Sequence, residues 1–412
     1  MEKASAELST KALNRAPLPF IEFVALAASL MALNALGIDS MLPALPAIGE
    51  ALNVAQANDR QYVITAFLIG FAVAQLAYGP LADRYGRRPV LAASLLAYAL
   101  TSVLAALAGS FTLLLIARAV MGASAAGARV VTVAMVRDCF SGRAMARVMS
   151  FVMIVFMAAP IIAPAFGEGI LLIGSWRLIF WGVAVAGIAV FAWFWLRMPE
   201  TLPADARQPL NPGRIARDYA LVVRDRNSVG YTLAATATAG ALFGFIGSIQ
   251  QIMADVFHMP HRLVPVFAVV AGTMGMGAFL NSRIVMRYGM RPISHTALTV
   301  LVVLASIHLA VAWGGFESIW TFVVLQAAMM GCFGLVGANF SAMAMEKMGE
   351  IAGTASSLQG FVSTLGGALI GAAIGQAFDG TTIPLYAGFV LMGGTALLIV
   401  AITERGRLFR AS

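Results

Sequence analysis

The chain has 412 residues, of which 60% are hydrophobic and only 11% charged, with a net charge of +8 at pH 7. A soluble domain carries about a quarter charged residues, so composition excludes an ordinary soluble enzyme or binding module and predicts a polytopic α-helical membrane protein. Two cysteines, Cys139 and Cys332, are too few for a metal framework, and nothing argues that they form a disulfide.

A membrane-spanning helix needs about 20 apolar residues. In chain order, such stretches fall at 20–46, 60–80, 88–108, 111–136, 147–173 and 177–197, then at 228–254, 264–285, 292–314, 317–343, 351–377 and 383–403. The first is too long for a signal-peptide core and is read as a retained span. Pro199 to Asn227 is the one long polar segment. The chain therefore divides into an N-terminal segment (1–19), a six-helix bundle (20–197), a linker (198–227), a second six-helix bundle (228–403) and a tail (404–412). An even number of spans puts both termini on one side. Lys and Arg collect in the N-terminal segment, the turns Arg84–Arg88 and Arg137–Arg147, the linker, the turn Arg283–Arg291, Lys347 and the tail. The alternate turns hold only Arg60, Arg177 and Arg262. This positive-inside pattern puts both termini in the cytoplasm, and it accounts for the positive charge without nucleic acid. The linker's basic residues lie either along anionic headgroups or in an ordinary solvated loop.

One motif occurs twice, about half a chain apart. Arg84-Tyr85-Gly86-Arg87-Arg88-Pro89 follows the second span and Arg287-Tyr288-Gly289-Met290-Arg291-Pro292 follows the eighth. A short basic turn repeated between apolar spans marks two homologous halves, an arrangement found in secondary transporters. Gly86 and Gly289 suit tight turns with unusual dihedrals. No Gly-x-x-x-x-Gly-Lys-Ser/Thr loop is present to hold nucleotide phosphates, so transport is driven by a gradient or is passive.

Gly79 to Pro89 resembles the signature loop between the second and third helices of the major facilitator superfamily. Further segments are similar to its twelve-span drug:proton antiporters. These are Asp39-Ser40-Met41-Leu42-Pro43-Ala44-Leu45-Pro46 in the first span, Arg118-Ala119-Val120-Met121-Gly122 in the fourth and Met198-Pro199-Glu200-Thr201-Leu202 after the sixth. Arg137-Asp138-Cys139-Phe140-Ser141 and Gly353-Thr354-Ala355-Ser356-Ser357 resemble the bicyclomycin-resistance branch. The chain departs from the family pattern in three places. Met121 replaces a Gln. The fifth-span motif keeps the kinking Pro160 and Pro164 but has Ala where Gly is usual. Met31 replaces a second acid, which implies one main proton carrier. The resemblance implies the major facilitator fold, two pseudo-symmetric six-helix bundles. It also implies a gate at Gly79, Asp83, Arg84, Gly86, Arg87, Arg88 and Arg137, with Asp83 capping the eleventh helix and pairing with a nearby Arg such as Arg137 when the inside is closed.

Charges inside spans are costly and usually functional. Asp39 and Arg118 sit at similar depths on helices that line the central cavity in this superfamily. A carboxylate there feels desolvation against a neighbouring guanidinium, a balance that helix movement alters, as proton coupling requires. The other reading is a static buried pair or a helix-end residue. Arg129 lies eleven residues beyond Arg118, close to three helical turns and about 16 Å deeper on the same face. It points either into the cavity or toward the headgroups. Two cavity cations would favour neutral or anionic substrates. Glu22 is an interface residue or a proton exit, and Glu168 an outer-gate residue or a boundary charge. Met31, Asn34, Gln250, Gln251 and Asn339 are placed in the cavity with Asp39, Arg118 and Arg129. Gln326, Gln359, Gln376 and Asn281 read as helix glue, and His308 as packing without a partner acid.

The expectation is thus a proton-coupled exporter of small amphiphilic, neutral or anionic drugs, resembling phenicols, bicyclomycin or fosfomycin. It would work by alternating access as a monomer in a bacterial inner membrane. The proton is its coupling ion, and no cofactor or metal is needed. A proton-coupled metabolite transporter of the same fold is the alternative. A sensor would need an output domain, and an enzyme a clustered catalytic set; the sequence offers neither.

Overall fold

The computed structural model describes residues 17–410, apart from the side chains at 142, 143, 146, 150, 154–157 and 350. Positions 1–16 of the N-terminal segment and the last two of the tail lie outside the described residues. Twelve helices long and apolar enough to cross a membrane follow one another. In the first half they are α1 (Phe20–Asp39), α2 (Tyr62–Tyr85), α3 (Arg87–Ala106), α4 (Phe111–Cys139), α5 (Gly142–Leu171) and α6 (Arg177–Arg197). In the second half they are α7 (Arg226–Gln251), α8 (Leu263–Tyr288), α9 (Met290–Trp313), α10 (Ile319–Ala344), α11 (Ala352–Gln376) and α12 (Ile383–Thr403).

Local chemistry sets the boundaries. Gly86 and Gly289, at φ +100° and +82°, break the chain between α2 and α3 and between α8 and α9, which is the structural meaning of the repeated turn. Ser110 and Ser318 cap α4 and α10, accepting from Leu113 N–H and Thr321 N–H. Two expectations change. The first span is not one helix over 20–46. It stops at Asp39 and continues as a 3-10 turn (Leu42–Ala44) and a short helix (Leu45–Ala51), because Pro43 and Pro46 supply no N–H to an α-helix. The linker carries a helix, Pro212–Arg224, started by the Asn211 side chain; its Val222 packs with Met348 and Ala355 of the second half.

The packing repeats. In the first half α2 lies on α4, α3 on α4 and α6, and α1 on α4, α5 and α6. Adding six to each number describes the second half: α8 on α10, α9 on α10 and α12, and α7 on α10, α11 and α12. The closest crossings correspond too. A Cβ on Gly122 would stand 1.9 Å from the Phe67 carbonyl oxygen of α2, and one on Gly334 2.2 Å from that of Met274 in α8, the backbone approach that small residues allow between membrane helices. Between the halves, α2 packs on α11 and α5 on α8.

Candidate functional site

The chain begins α1 and ends α12 on the same face, the termini face; the opposite one is the distal face. Functional side chains gather at three levels between them.

In the distal half, Arg118 is fully buried. Its Nε donates to the Val63 carbonyl at 2.9 Å and its Nη1 to the Gly37 carbonyl at 2.7 Å, and the Phe67 ring lies 4.7 Å below it. Gly37 stands in the last turn of α1, whose carbonyls lack intrahelical partners and carry partial negative charge. Arg118 satisfies one of them. Tyr98 of α3 grips the same helix, donating to the Leu33 carbonyl at 2.8 Å. Asp39, 5% exposed, lies two residues beyond Gly37. The guanidinium expected beside it is therefore committed to α1's backbone, and among the described residues Asp39 makes no ion pair.

Arg129 stands against the Phe71 ring at 5.9 Å, one turn along α2 from Phe67, so both arginines face α2. Unlike Arg118, Arg129 is exposed. Of the two expected cavity cations, Arg118 is thus committed to backbone carbonyls and only Arg129 is exposed. Met31 is buried, and Asn34 donates to its carbonyl while leaving its own Oδ1 buried without a partner.

At the distal face an amide cluster joins the halves. Gln61 donates to Gln251, and Gln251 to Asn58 at 2.8 Å. Asn58 donates to the Gln376 and Phe378 carbonyls at 3.1 and 2.9 Å, and Gln376 donates back to Asn58. Gln251 thus belongs to an interbundle clasp and not to a cavity wall. Its neighbour Gln250 has a buried, unpartnered Oε1 and lines a cavity of about 220 Å³ with Pro43, Pro46, Glu168, Pro260 and His261. Glu168 is therefore at a seam between halves. In α5, Pro160 and Pro164 sit within the helix, whose later part crosses α1 so closely that a Cβ on Gly167 would stand 2.0 Å from the Ser40 carbonyl. Deeper in the seam, Gln75 of α2 reaches Thr364 of α11 at 3.4 Å.

At the termini face the signature turn forms an acid–base cage within the first half. Arg87 bonds Asp83 at 2.6 Å and Asp138 at 3.0 Å. Glu200 accepts from the backbone N–H groups of Arg87 and Arg88 at 2.9 and 3.1 Å, a carboxylate set on the N-terminus of α3. Arg88 donates to the Trp195 carbonyl and lies over its ring. Asp83 does not cap α11, which has no side-chain cap, because Arg87 one turn on captures the carboxylate. Arg137 does not pair with Asp83; its Nη1 lies near Gly353 in the first turn of α11, 3.8 Å from a Cβ placed there. Glu22 forms a forked bond to Arg197, at 2.7 and 2.9 Å, a surface tie between α1 and α6 that fits an interface residue.

In the second half, Asn339 and Asn281 exchange bonds at 2.9 and 3.2 Å; Asn339 is glue between α8 and α10 and not a cavity contact. His308 does have a partner acid: its Nε2 meets Glu317 at 2.7 Å and its ring stacks on Tyr386. Sequence reading missed Tyr98, Asn58, Gln61, Gln75 and Glu317, and quoted Asp138 and Glu200 without a role. Most of their partners are dozens to hundreds of residues away, beyond any helical spacing. Among the described residues no cluster of three or more His, Cys, Asp or Glu side chains could hold a metal ion.

A twelve-helix, two-fold repeated bundle with an interbundle clasp at its distal face and a charged cage at its termini face has the architecture of a transporter and not of an enzyme. The chain matches the Major Facilitator Superfamily over residues 27–372 and belongs to that family. It is 31% identical to the Bicyclomycin resistance protein homolog of Haemophilus influenzae over 360 residues, 85% of this chain and 87% of the relative. It is also 31% identical to the uncharacterized MFS-type transporter YdgK of Bacillus subtilis, over 86% of this chain and 88% of the relative. Identity to the Multidrug resistance protein MdtL of Escherichia coli is 27%, over 83% of this chain and 85% of the relative. In fold it is similar to a partially occluded inward-open structure of the xylose transporter XylE from E. coli (TM-score 0.74, 11% identity, 92% of this chain and 98% of that one). It is likewise similar to the human organic anion transporter MFSD10 (TM-score 0.66, 19% identity, 94% of this chain and 100% of that one).

Proposed function

We propose that this chain exports small amphiphilic drugs, neutral or anionic, in exchange for protons, with Asp39 as the proton carrier. The observation that carries the reading is a buried carboxyl at the end of α1 with no ionic partner among the described residues. A carboxylate there is desolvated and faces the partial negative end of its own helix. Carrying a proton removes that charge, and opening the site to water allows the charge to return. The Arg118 bond to Gly37 ties the carboxyl's helix end to α4, so a shift between α1 and α4 would change its surroundings. Arg129 supplies a single accessible cation for substrate, which favours neutral and anionic compounds over lipophilic cations. Relatives named for bicyclomycin and multidrug resistance support export of antibiotics.

The basic turns of the termini face support its placement in the cytoplasm, and the bacterial relatives support a bacterial inner membrane. The distal amide clasp and the pairing of Asp83 with Arg87 then fit a state closed to the exterior, in which the cytoplasmic latch onto α11 is open. Alternating access would exchange one closure for the other.

The test is drug susceptibility in cells lacking their own efflux pumps, comparing the wild type with Asp39→Asn at equal membrane abundance. Resistance to phenicols, fosfomycin or sulfonamides that disappears in the variant is expected. Resistance retained by Asp39→Asn would remove Asp39 as carrier, and resistance confined to quaternary ammonium compounds would overturn the substrate class. Resistance to no compound would favour a metabolite transporter.

A further inference from the structure

The second copy of the repeated turn has a feature the first lacks. In the first half, Arg87 and Arg88 are met by Asp83, Asp138 and Glu200. In the second, Arg291 is met by Glu346 at 3.0 Å and Glu404 at 2.8 Å, but the surroundings then become strongly basic. A cavity of about 450 Å³ opens beside it, lined by Arg226, Asn227, Lys347, Thr403, Arg405, Arg407 and Arg410 as well as Arg291 and Glu404. Lys347 has Asp225 at 3.6 Å. Arg226, Arg405, Arg407 and Arg410 make no ion pair among the described residues. Carboxylates therefore balance only part of the positive charge.

The tail that supplies three of these arginines is built into the structure. Gly406 N–H returns to the Ala401 carbonyl at 2.8 Å and Arg407 N–H to that of Glu404 at 3.0 Å. Phe409 N–H donates to His295 Nδ1 at 3.2 Å, and the Phe409 ring stands edge-on to the imidazole. The other His295 nitrogen meets the Tyr231 hydroxyl, which donates to Glu404. Arg405, Gly406 and Phe409 all take left-handed conformations, at φ 54°, 73° and 64°. A strained, docked tail that gathers guanidinium groups around a cavity is a preorganised anion site.

We propose that this cavity binds a phosphate-bearing anion, and that its occupant is the headgroup of an anionic phospholipid in the leaflet at the termini face. The volume lies in the range of small-molecule sites. Guanidinium forks match phosphate oxygens two at a time. Basic clusters immediately outside membrane helices are the groups that anionic lipids meet. The bound phosphate joins the starts of α7 and α9, the turn between α10 and α11, and the end of α12.

Native mass spectrometry of the purified full chain in detergent micelles tests this, with cardiolipin, phosphatidylcholine or inorganic phosphate added. Wild type should retain cardiolipin and not phosphatidylcholine. The triple variant Arg405→Ala, Arg407→Ala, Arg410→Ala should bind it about a hundredfold more weakly, taking the usual worth of basic groups at an anionic surface. Removing as many exposed charges from the linker, with Arg214→Ala, Arg217→Ala and Arg224→Ala, should change little. Equal weakening by both variants would reduce the site to general surface attraction and overturn the proposal, as would equal retention of phosphatidylcholine. Competition by millimolar inorganic phosphate would keep the phosphate chemistry and assign the site to a soluble anion. Single reversals Arg407→Glu and Arg410→Glu repeat the comparison should the triple variant fail to fold.

Discussion

Arg118 spends its charge on two backbone carbonyls and an aromatic face, whereas Asp39 has no ionic partner among the described residues. The two residues should therefore fail in different ways. Arg118→Met leaves the Gly37 carbonyl without its donor, and hydrogen bonds to charged groups are worth about 1.5–3 kcal/mol each. Its melting temperature in detergent should fall, and Arg118→Lys should not restore it, because an ammonium cannot reproduce the planar two-carbonyl fork. Asp39→Asn should keep the melting temperature and abolish substrate-driven proton release in inside-out vesicles. A drop in stability with unchanged proton release would make Asp39 a packing residue.

Among the elements, the repeated turn is the most constrained. Gly86 combines φ +100° with a Cβ position 2.3 Å from a Glu200 carboxylate oxygen. Gly86→Ala should cost about 1–3 kcal/mol from backbone strain and also displace Glu200 from the α3 N-terminus, lowering the folded yield in membranes. At Gly289 the nearest atom to a new Cβ is 3.7 Å away, so Gly289→Ala should suffer the strain alone and yield more. In the tail, burial pulls the Glu404 carboxyl up, but bonds from Tyr231 and Arg291 and the charge of Arg291 outweigh it and hold the group below its usual range. A lowered carboxyl stabilises above its unfolded value and loses that contribution as pH falls through its folded one. The tail should therefore stay docked at neutral pH and gain amide hydrogen exchange at acid pH. Glu404→Gln should show the fast exchange at neutral pH.

The molecule as a whole is held closed on the distal face by neutral amides. Each such bond is worth about 0.5–1.5 kcal/mol, so the loss of even two would shift the equilibrium by roughly 30-fold, and truncating Asn58 and Gln61 together removes five. Asn58→Ala with Gln61→Ala should lengthen the distance between spin labels at Ala55 and Thr381, on opposite halves of that face, measured by pulsed paramagnetic resonance. An unchanged distance distribution would mean that α2–α11 packing holds the closure alone. Amides suit this role because they bond across a gap without the desolvation cost of an ion pair, so the clasp can open.

Much of this architecture is legible in the sequence. The twelve apolar runs needed only the length of a helix across lipid, and the repeated Arg-Tyr-Gly-x-Arg-Pro turn needed only the φ that glycine tolerates, so local physics determined the spans and marked the two-fold repeat. The 11-residue spacing of Arg118 and Arg129 likewise put both on one face of α4, and it is the packing that sets that face against α2. Partner choice was decided by tertiary structure. The bonds of Arg118 to Gly37 and Val63, of Glu22 to Arg197 and of Gln61 to Gln251 each join segments far apart in sequence, and that of His308 to Glu317 arises where the turn after α9 folds back on it. A hydrogen bond depends on atoms within about 3 Å of one another, a closeness that helical periodicity states only for neighbours three and four residues apart, and that for all other residues is set by how the twelve helices pack.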